Sequence, residues 1–207
     1  MCGPRIAGVI LAAGMSRRLG RPKQLLPLAG LPALAHVIDA AAQTPLDPQL
    51  VILGYASDEI QAHVDCSSTV VVINADYAGG QSTSVKAAIR ALPADVDAAL
   101  FLLGDQPLVD HRVIERLIAA YRTQPAAILQ PCYREGPGNP VLIARPLFPE
   151  LLKLTGDTGA RPLLNRYQGQ IRLVEVPAVH RPEDLDTWED YERLRAESVI
   201  EQARSDR

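Results

Sequence analysis

The chain has 207 residues, 47% of them hydrophobic, 22% charged and only 4% aromatic, with a formal net charge of −3. This length and apolar content suit one globular domain around a mainly aliphatic core. The charge balance excludes nucleic-acid binding by bulk electrostatics, so a basic cluster in this chain is a local feature.

Ile6–Leu11 reads as a first strand. It is too short to cross a membrane and runs into charged residues without a signal-peptide cleavage pattern. The segment 32–43 starts at a proline and repeats apolar residues at Leu34, Val37, Ile38 and Ala41, the spacing of a helix. Residues 49–54 read as a second strand, 57–64 as a short helix with Ser57 as its N-cap, 69–74 as a third strand and 83–92 as a third helix. A fourth strand covers 97–105, a helix 109–122 and a fifth strand 126–131. Continuous apolar strands separated by helices indicate a parallel sheet covered on both faces.

After residue 132 the pattern changes. "YREGPGNPVLIARP" is rich in glycine and proline, and its "PVLI" reads as a strand of different direction. Helices over 147–154 and 160–166, a strand over 171–176 and a closing helix over 187–204 follow. The charged end "SVIEQARSDR" is expected to fray. The expected fold is α/β: one domain with a three-layer, doubly wound, mostly parallel, Rossmann-like sheet. A nucleotide-binding half spans 1–131, an insertion shaped to hold something else 132–186, and a closing helix and tail 187–207.

Cys2, Cys66 and Cys132 are far apart and form no CxxC pair. Their spacing suggests neither a zinc site nor a disulfide framework, and fits free thiols in a reducing cytoplasm. His36, His63 and His111 fall in predicted helices and His180 in a loop, with no two at ligand spacing.

Ligands of open α/β sheets bind outside the carboxyl ends of the strands. The first such end carries Leu11-Ala12-Ala13-Gly14 and then Arg17, Arg18, Gly20 and Lys23. This is neither a P-loop nor a GxGxxG turn. Its small residues nevertheless let backbone N–H groups approach a ligand, and its three cations can neutralise a triphosphate. Asp105 ends the apolar run "AALFLLG", where a carboxylate can hold Mg²⁺ through oxygen or cap the helix after Pro107. Asp186 sits with Glu183 and Asp184 in an acidic cluster that by itself reads as an exposed helix start. Gly79-Gly80 with Ser82, Thr83 and Ser84 offers N–H groups and hydroxyls to a ribose or base, or an ordinary helix cap.

Together these stretches resemble the molybdenum cofactor cytidylyltransferases, within the wider MobA-like nucleotidyltransferase superfamily. The resemblance runs from Ile6 to about Leu194. "LAAGMSRRLGRPKQLLPL" is the superfamily signature, "GDQP" matches its metal-binding strand end and "DLDTWEDY" its late acidic motif. "GNPVLIARPLFPELLKLTGDTGARPLL" points to the branch acting on molybdopterin. The resemblance implies a cytoplasmic, Mg²⁺-dependent enzyme that transfers CMP from CTP to the terminal phosphate of molybdopterin. It assigns Arg17 and Lys23 to the triphosphate, Asp105 and Asp186 to Mg²⁺, and Gly80 and Ser82 to the nucleotide, alongside Leu11–Gly14. Gly138, Asn139 and Pro140 would contact the pterin, making 132–186 the acceptor-binding part. Relatives that transfer guanylyl groups usually have two glycines within the stretch where this chain has Ala12-Ala13-Gly14, and the extra methyl here fits a pyrimidine. One departure is Pro137, where the family often has a basic residue. Two alternatives stay open: transfer to a sugar or alditol phosphate, and a cofactor-carrying role beside a molybdoenzyme apoprotein. Neither nucleic acid nor membrane is an expected partner.

Overall fold

The computed structural model describes residues 3–176 and 179–205, the last seven of these by backbone alone. Cys2 lies outside them; Cys66 and Cys132 are free thiols. In chain order the strands are β1 (Ile6–Leu11), the two-residue pair β2 (Pro27–Leu28) and β3 (Leu31–Pro32), β4 (Gln49–Leu53), β5 (Val70–Ile73), β6 (Ala98–Leu103), β7 (Ile128–Tyr133), β8 (Gly136–Pro137), β9 (Val141–Ala144) and β10 (Ile171–Glu175). The helices are α1 (Ala33–Ala42), α2 (Ser57–His63), α3 (Gln81–Ala91), α4 (His111–Thr123), α5 (Phe148–Leu151), α6 (Arg161–Arg166) and α7 (Trp188–Ser205).

The main sheet has the order β10-β7-β9-β6-β1-β4-β5, with β8 folded back on β7. β1 pairs in parallel with β4 and β6, and β4 with β5. β9 is antiparallel to both β6 and β7, as the change of pattern after residue 132 implies. Strand residues alternate between two cores because successive side chains leave a strand on opposite faces. Val51 and Leu53 face the core under α1, α2 and α4, built with Val37, Ile38, Ile60, Ile114 and Leu117. Leu50 and Ile52 face the other, with Val85 and Ala88 of α3, Phe148 of α5 and Leu163 of α6. The two faces make three layers, each fully buried Leu or Ile contributing about 1.5–3 kcal/mol.

A third, smaller core decides where the charged residues go. Leu19, Leu26, Leu28, Leu185, Tyr191 and Leu194 pack together beside the sheet. Leu19 and Leu26 flank the basic loop and Leu185 precedes Asp186, so packing of apolar neighbours draws the first loop and the late acidic segment together.

Several expected boundaries shift. Ser57 is the first residue of α2 rather than its N-cap; the capping position is Ala56, at φ 54°, with no side-chain cap. α3 starts at Gln81, two residues early, because Oδ1 of the distant Asp157 accepts from the Gln81 N–H at 2.9 Å. The helix expected over 147–154 is a 3₁₀ turn, Arg145–Leu147, followed by the four residues of α5. The fifth strand runs on to Tyr133. The end expected to fray is helical to Ser205, with the final two residues outside the described set. Among the described residues no helix is long and apolar enough to cross a membrane.

Candidate active site

The carboxyl ends of β1 and β6 lie side by side, and Gly104 lets them meet. A Cβ on Gly104 would stand 2.7 Å from the Ala12 methyl and 3.0 Å from the Leu11 carbonyl oxygen. Beyond these ends opens a cavity of about 630 Å³, within the range of small-molecule sites. Its wall includes Leu11, Ala12, Ala13, Gly14, Arg17, Lys23, Gly80, Asp105 and Asp186, so nine expected site residues converge there.

The loop after β1 turns tightly at Ser16, at φ 51°, where the Ser16 carbonyl accepts from the N–H groups of Leu19 and Gly20. Lys23 N–H donates to Ser16 Oγ at 3.0 Å, closing the turn. Among the described residues the backbone N–H groups of Ala13, Gly14, Met15, Ser16 and Arg17 have no protein acceptor. A run of unpaired N–H groups lining a cavity is an anion-binding concavity. Arg17 is exposed at its mouth and has no acidic partner among the described residues; its one polar contact is the Met15 sulfur.

Lys23 has the opposite setting. Its Nζ lies 2.6 Å from Asp105 Oδ2 and 2.8 Å from Asp186 Oδ1, with the side chain 13% exposed. Arg18 closes the network on Asp186 Oδ2 at 2.9 Å. Burial works against the Lys23 charge, but Asp105 and Asp186 outweigh it and raise its pKa, so Lys23 is an ammonium at neutral pH. Burial likewise opposes the charge on Asp186, but hydrogen bonds and charge from Lys23 and Arg18 hold its pKa below the ordinary carboxylate value. For Asp105 burial prevails: its pKa is raised, Asp184 and Asp186 adding to the rise and Lys23 opposing it. Asp105 is not a helix cap; Asp110 caps α4, accepting from the Arg112 N–H.

The acidic segment is held by more than its charges. The Leu185 N–H donates to the Asp105 carbonyl at 2.8 Å, and Gln106 Nε2 donates to Asp184 Oδ1 at 2.7 Å. α7 begins in a capping box: the Asp190 carboxylate accepts from the Thr187 N–H, and Thr187 Oγ1 accepts from the Asp190 N–H. Asp186 is thereby freed from capping and turned toward Lys23. Among the described residues no three His, Cys, Asp or Glu side chains form a metal-holding group. Two carboxylate oxygens, Asp105 Oδ2 and Asp186 Oδ1, instead converge on one cation, here the Lys23 ammonium.

The glycine-serine segment divides. Gly80, at φ 96°, packs so closely on Gly156 that a Cβ would stand 2.7 Å from its carbonyl carbon. Gly80, Gln81 and Ser84 line the cavity; Ser82 does not, being 1% exposed with its N–H bonded to the Gly156 carbonyl. The Thr83 and Ser84 hydroxyls accept from Asn74 Nδ2. Gly138, Asn139 and Pro140 are also off this wall. Their turn precedes β9, whose Val141 pairs with Phe101 near the end of β6, so it sits at the same sheet edge. Tyr133 Oη donates to the Asn139 carbonyl, and Arg181 lies against Gly138. None of the histidines is on this wall: His36 bonds to the Leu28 carbonyl, His63 to that of Glu59 and His180 to the Glu135 carboxylate, and His111 lies beside Asp110.

Sequence reasoning passed over Gln24, Tyr77 and Asp157, which share the wall. Gln24 is 1% exposed, and its Nε2 donates to the Ala12 carbonyl at 2.6 Å and the Gly14 carbonyl at 3.4 Å. Its only signal was a buried-type position for a polar residue in "KQLLPL". Tyr77 stacks edge-on with Tyr55 at the rim.

Known proteins share this fold and part of this sequence. A solved structure from Mycobacterium tuberculosis H37Rv, Rv0371C in complex with manganese, superposes with a TM-score of 0.82 at 33% identity, over 93% of this chain and 98% of that one. Nicotine blue oxidoreductase of Paenarthrobacter nicotinovorans is 30% identical over 92% of this chain and 97% of its own length. Molybdenum cofactor cytidylyltransferase of Escherichia coli K12 is 29% identical over 88% of this chain and 92% of its own. The family model of the MobA-like NTP transferase domain matches residues 8–171, a span that takes in the N–H-lined loop, Lys23, Asp105 and the strand after the Gly138–Pro140 turn. This chain therefore belongs to the MobA-like NTP transferase family and is a nucleotidyltransferase of that kind.

Proposed function

We propose that this nucleotidyltransferase moves CMP from CTP to the terminal phosphate of molybdopterin, giving the cytosine dinucleotide and pyrophosphate. The observation that carries the reading is one cavity joining loop N–H groups without a protein acceptor, and an Arg17 without an acidic partner, among the described residues, to the Lys23–Asp105–Asp186 network. One side suits phosphate oxygens and the other a cation that bridges them.

The choice of a pyrimidine rests on Ala12 and Ala13. At this stretch, on the cavity wall, the chain carries a methyl that guanylyl-transferring relatives usually lack. The choice of acceptor rests on the Gly138–Pro140 turn at the same edge, and the likeness to the Escherichia coli cytidylyltransferase favours both. Mg²⁺ would be held by Asp105 and Asp186, with Asp184 nearby; that a mycobacterial relative was solved in complex with manganese favours a divalent cation for this chain as well. When bound, the ion would neutralise charge on the reacting phosphate oxygens.

The chain's residues do the rest. The N–H groups of 13–17 and the Arg17 guanidinium would hold the β- and γ-phosphates and fix the α-phosphorus for in-line attack. An oxygen of the acceptor's terminal phosphate forms the new bond to the α-phosphorus. The bond to the β-phosphate oxygen breaks opposite, and its electrons leave on pyrophosphate. Arg17, and Lys23 once released from its carboxylates, stabilise that departing charge.

The test is pyrophosphate release with Mg²⁺, CTP or GTP, and either molybdopterin or a panel of sugar and alditol phosphates. Turnover with CTP and molybdopterin is expected. Release only with a sugar or alditol phosphate would overturn the acceptor assignment, and a preference for GTP would overturn the base assignment.

A further inference from the structure

Gln24 is a fully polar side chain in one of the most enclosed positions of the molecule, and the ion network has no use for it. It sits in the 3₁₀ turn Lys23–Leu25, between the small third core and the loop after β1. Its Nε2 donates to two carbonyls two residues apart, Ala12 and Gly14, while among the described residues its buried Oε1 has no partner. A side chain kept only for packing would not leave a buried acceptor unpaired, because its desolvation is uncompensated. A primary amide supplies two N–H donors from one nitrogen, which Leu or Met at this position would lack.

The consequence follows from peptide geometry. In a planar trans peptide the C=O and the next N–H point in opposite directions. A Gln24 amide that draws the Ala12 and Gly14 carbonyls to itself turns the Ala13 and Met15 N–H groups away from itself. Both residues line the cavity, and neither N–H has a protein acceptor among the described residues. The neighbouring Lys23 N–H fixes Ser16 Oγ, so two consecutive residues hold the loop from behind.

We infer that Gln24 is the positioning residue of the phosphate loop, its amide orienting the Ala13 and Met15 N–H groups toward the phosphates. It acts through the loop and touches no substrate. The inference rests on the reading that this loop binds phosphate, and the experiment separates the two.

The probe is inorganic pyrophosphate, titrated calorimetrically into the full chain and into Gln24→Met and Gln24→Glu. Gln24→Met keeps the volume without donors; Gln24→Glu keeps the shape but sets oxygens against two carbonyls. Pyrophosphate affinity should fall about tenfold in Gln24→Met and further in Gln24→Glu, while cytidine affinity changes less than about twofold, a split that general loosening would not give. In wild-type protein, pyrophosphate should shift the Ala13 and Met15 amide proton resonances downfield, a readout that stands even if neither variant folds. Undiminished pyrophosphate affinity in folded Gln24→Met, or shifts confined to other amides, would overturn the role of Gln24. No pyrophosphate binding by wild-type protein would overturn the phosphate-loop reading, and the inference with it.

Discussion

Asp105→Asn separates chemistry from folding at this site. The substitution keeps the side chain's shape, and the residue 105 carbonyl can still accept from the Leu185 N–H, so the acidic segment stays anchored. Lys23 keeps Asp186 at 2.8 Å and is not left unpaired. Burial, with Asp184 and Asp186 nearby, already disfavours charge on Asp105, so removing that charge relieves a cost as well as losing an ion pair. The two effects oppose, and stability should stay within about 1 kcal/mol of wild type. Turnover should not. Losing the carboxylate that would hold a divalent cation against the reacting phosphate should cost about 2.7–4 kcal/mol, or on the order of 100- to 1,000-fold in kcat, by analogy with removing one electrostatic stabiliser of the transition state. The assay is continuous pyrophosphate release at saturating CTP and acceptor, with a thermal melt of the same preparation. Turnover within about threefold of wild type at an unchanged Tm would refute the reasoning and leave Asp105 a mere counterion for Lys23.

Lys23→Ala leaves the Asp105 and Asp186 carboxylates facing each other without their shared ammonium. CTP affinity and kcat should fall together and Tm should drop, by up to about 3 kcal/mol in stability after screening; unchanged CTP binding would pass the phosphate role to the arginines. Replacing Ala12 and Ala13 by glycine removes two methyls from the end of β1. The ratio of kcat/KM for CTP over GTP should fall, by roughly 10- to 200-fold at most; a constant ratio would move base selection to the 77–84 segment. Asp110, Asp186 and Asp190 all have lowered pKa values, each with burial opposing and hydrogen-bonded partners prevailing. Their stabilisation is complete above the unfolded carboxylate value of about 3.9 and is lost as pH falls through the lower folded values, so Tm followed by circular dichroism should decline steeply there. Lys23, with its raised pKa, is stabilising below its unfolded value of about 10.4, and that contribution is lost as pH rises through the folded one.

The parts of the fold visible in the sequence were those fixed by local pattern. β1, β4 and β6 are continuous apolar runs, and the change of composition after residue 132 marks β9, the four-residue strand that runs against β6 and β7. The basic loop and Asp105 were legible because charge beside glycine at the end of a buried strand needs an external reason. What escaped notice depends on contacts across the chain. α3 starts early because its first N–H finds Asp157, 76 residues away, which no serine-threonine signal near residue 83 could reveal. Ser57 loses its capping role because the turn after β4 puts Ala56 in a left-handed conformation. Asp186 looked like part of a helix start, yet Thr187 and Asp190 cap each other and release it. Gln24 was invisible because its partners are two main-chain carbonyls, and carbonyls have no sequence.

The reversed strand β9 separates two kinds of evolutionary freedom. Because it runs against its neighbours, the edge that gathers the ends of β1 and β6 receives from β9 its beginning, the Gly138–Pro140 turn. That turn links β8, the return strand of the short β7–β8 hairpin, to β9, and its length can drift without disturbing the register of β1, β4 and β6, which are joined by pairings of their own. On the proposed function, insertions, deletions and side-chain exchange between Tyr133 and Val141 would retune the acceptor side while the loop after β1 stays intact. On that reading a lineage with this topology would diversify by exchanging one short segment, keeping a common donor chemistry for many recipients.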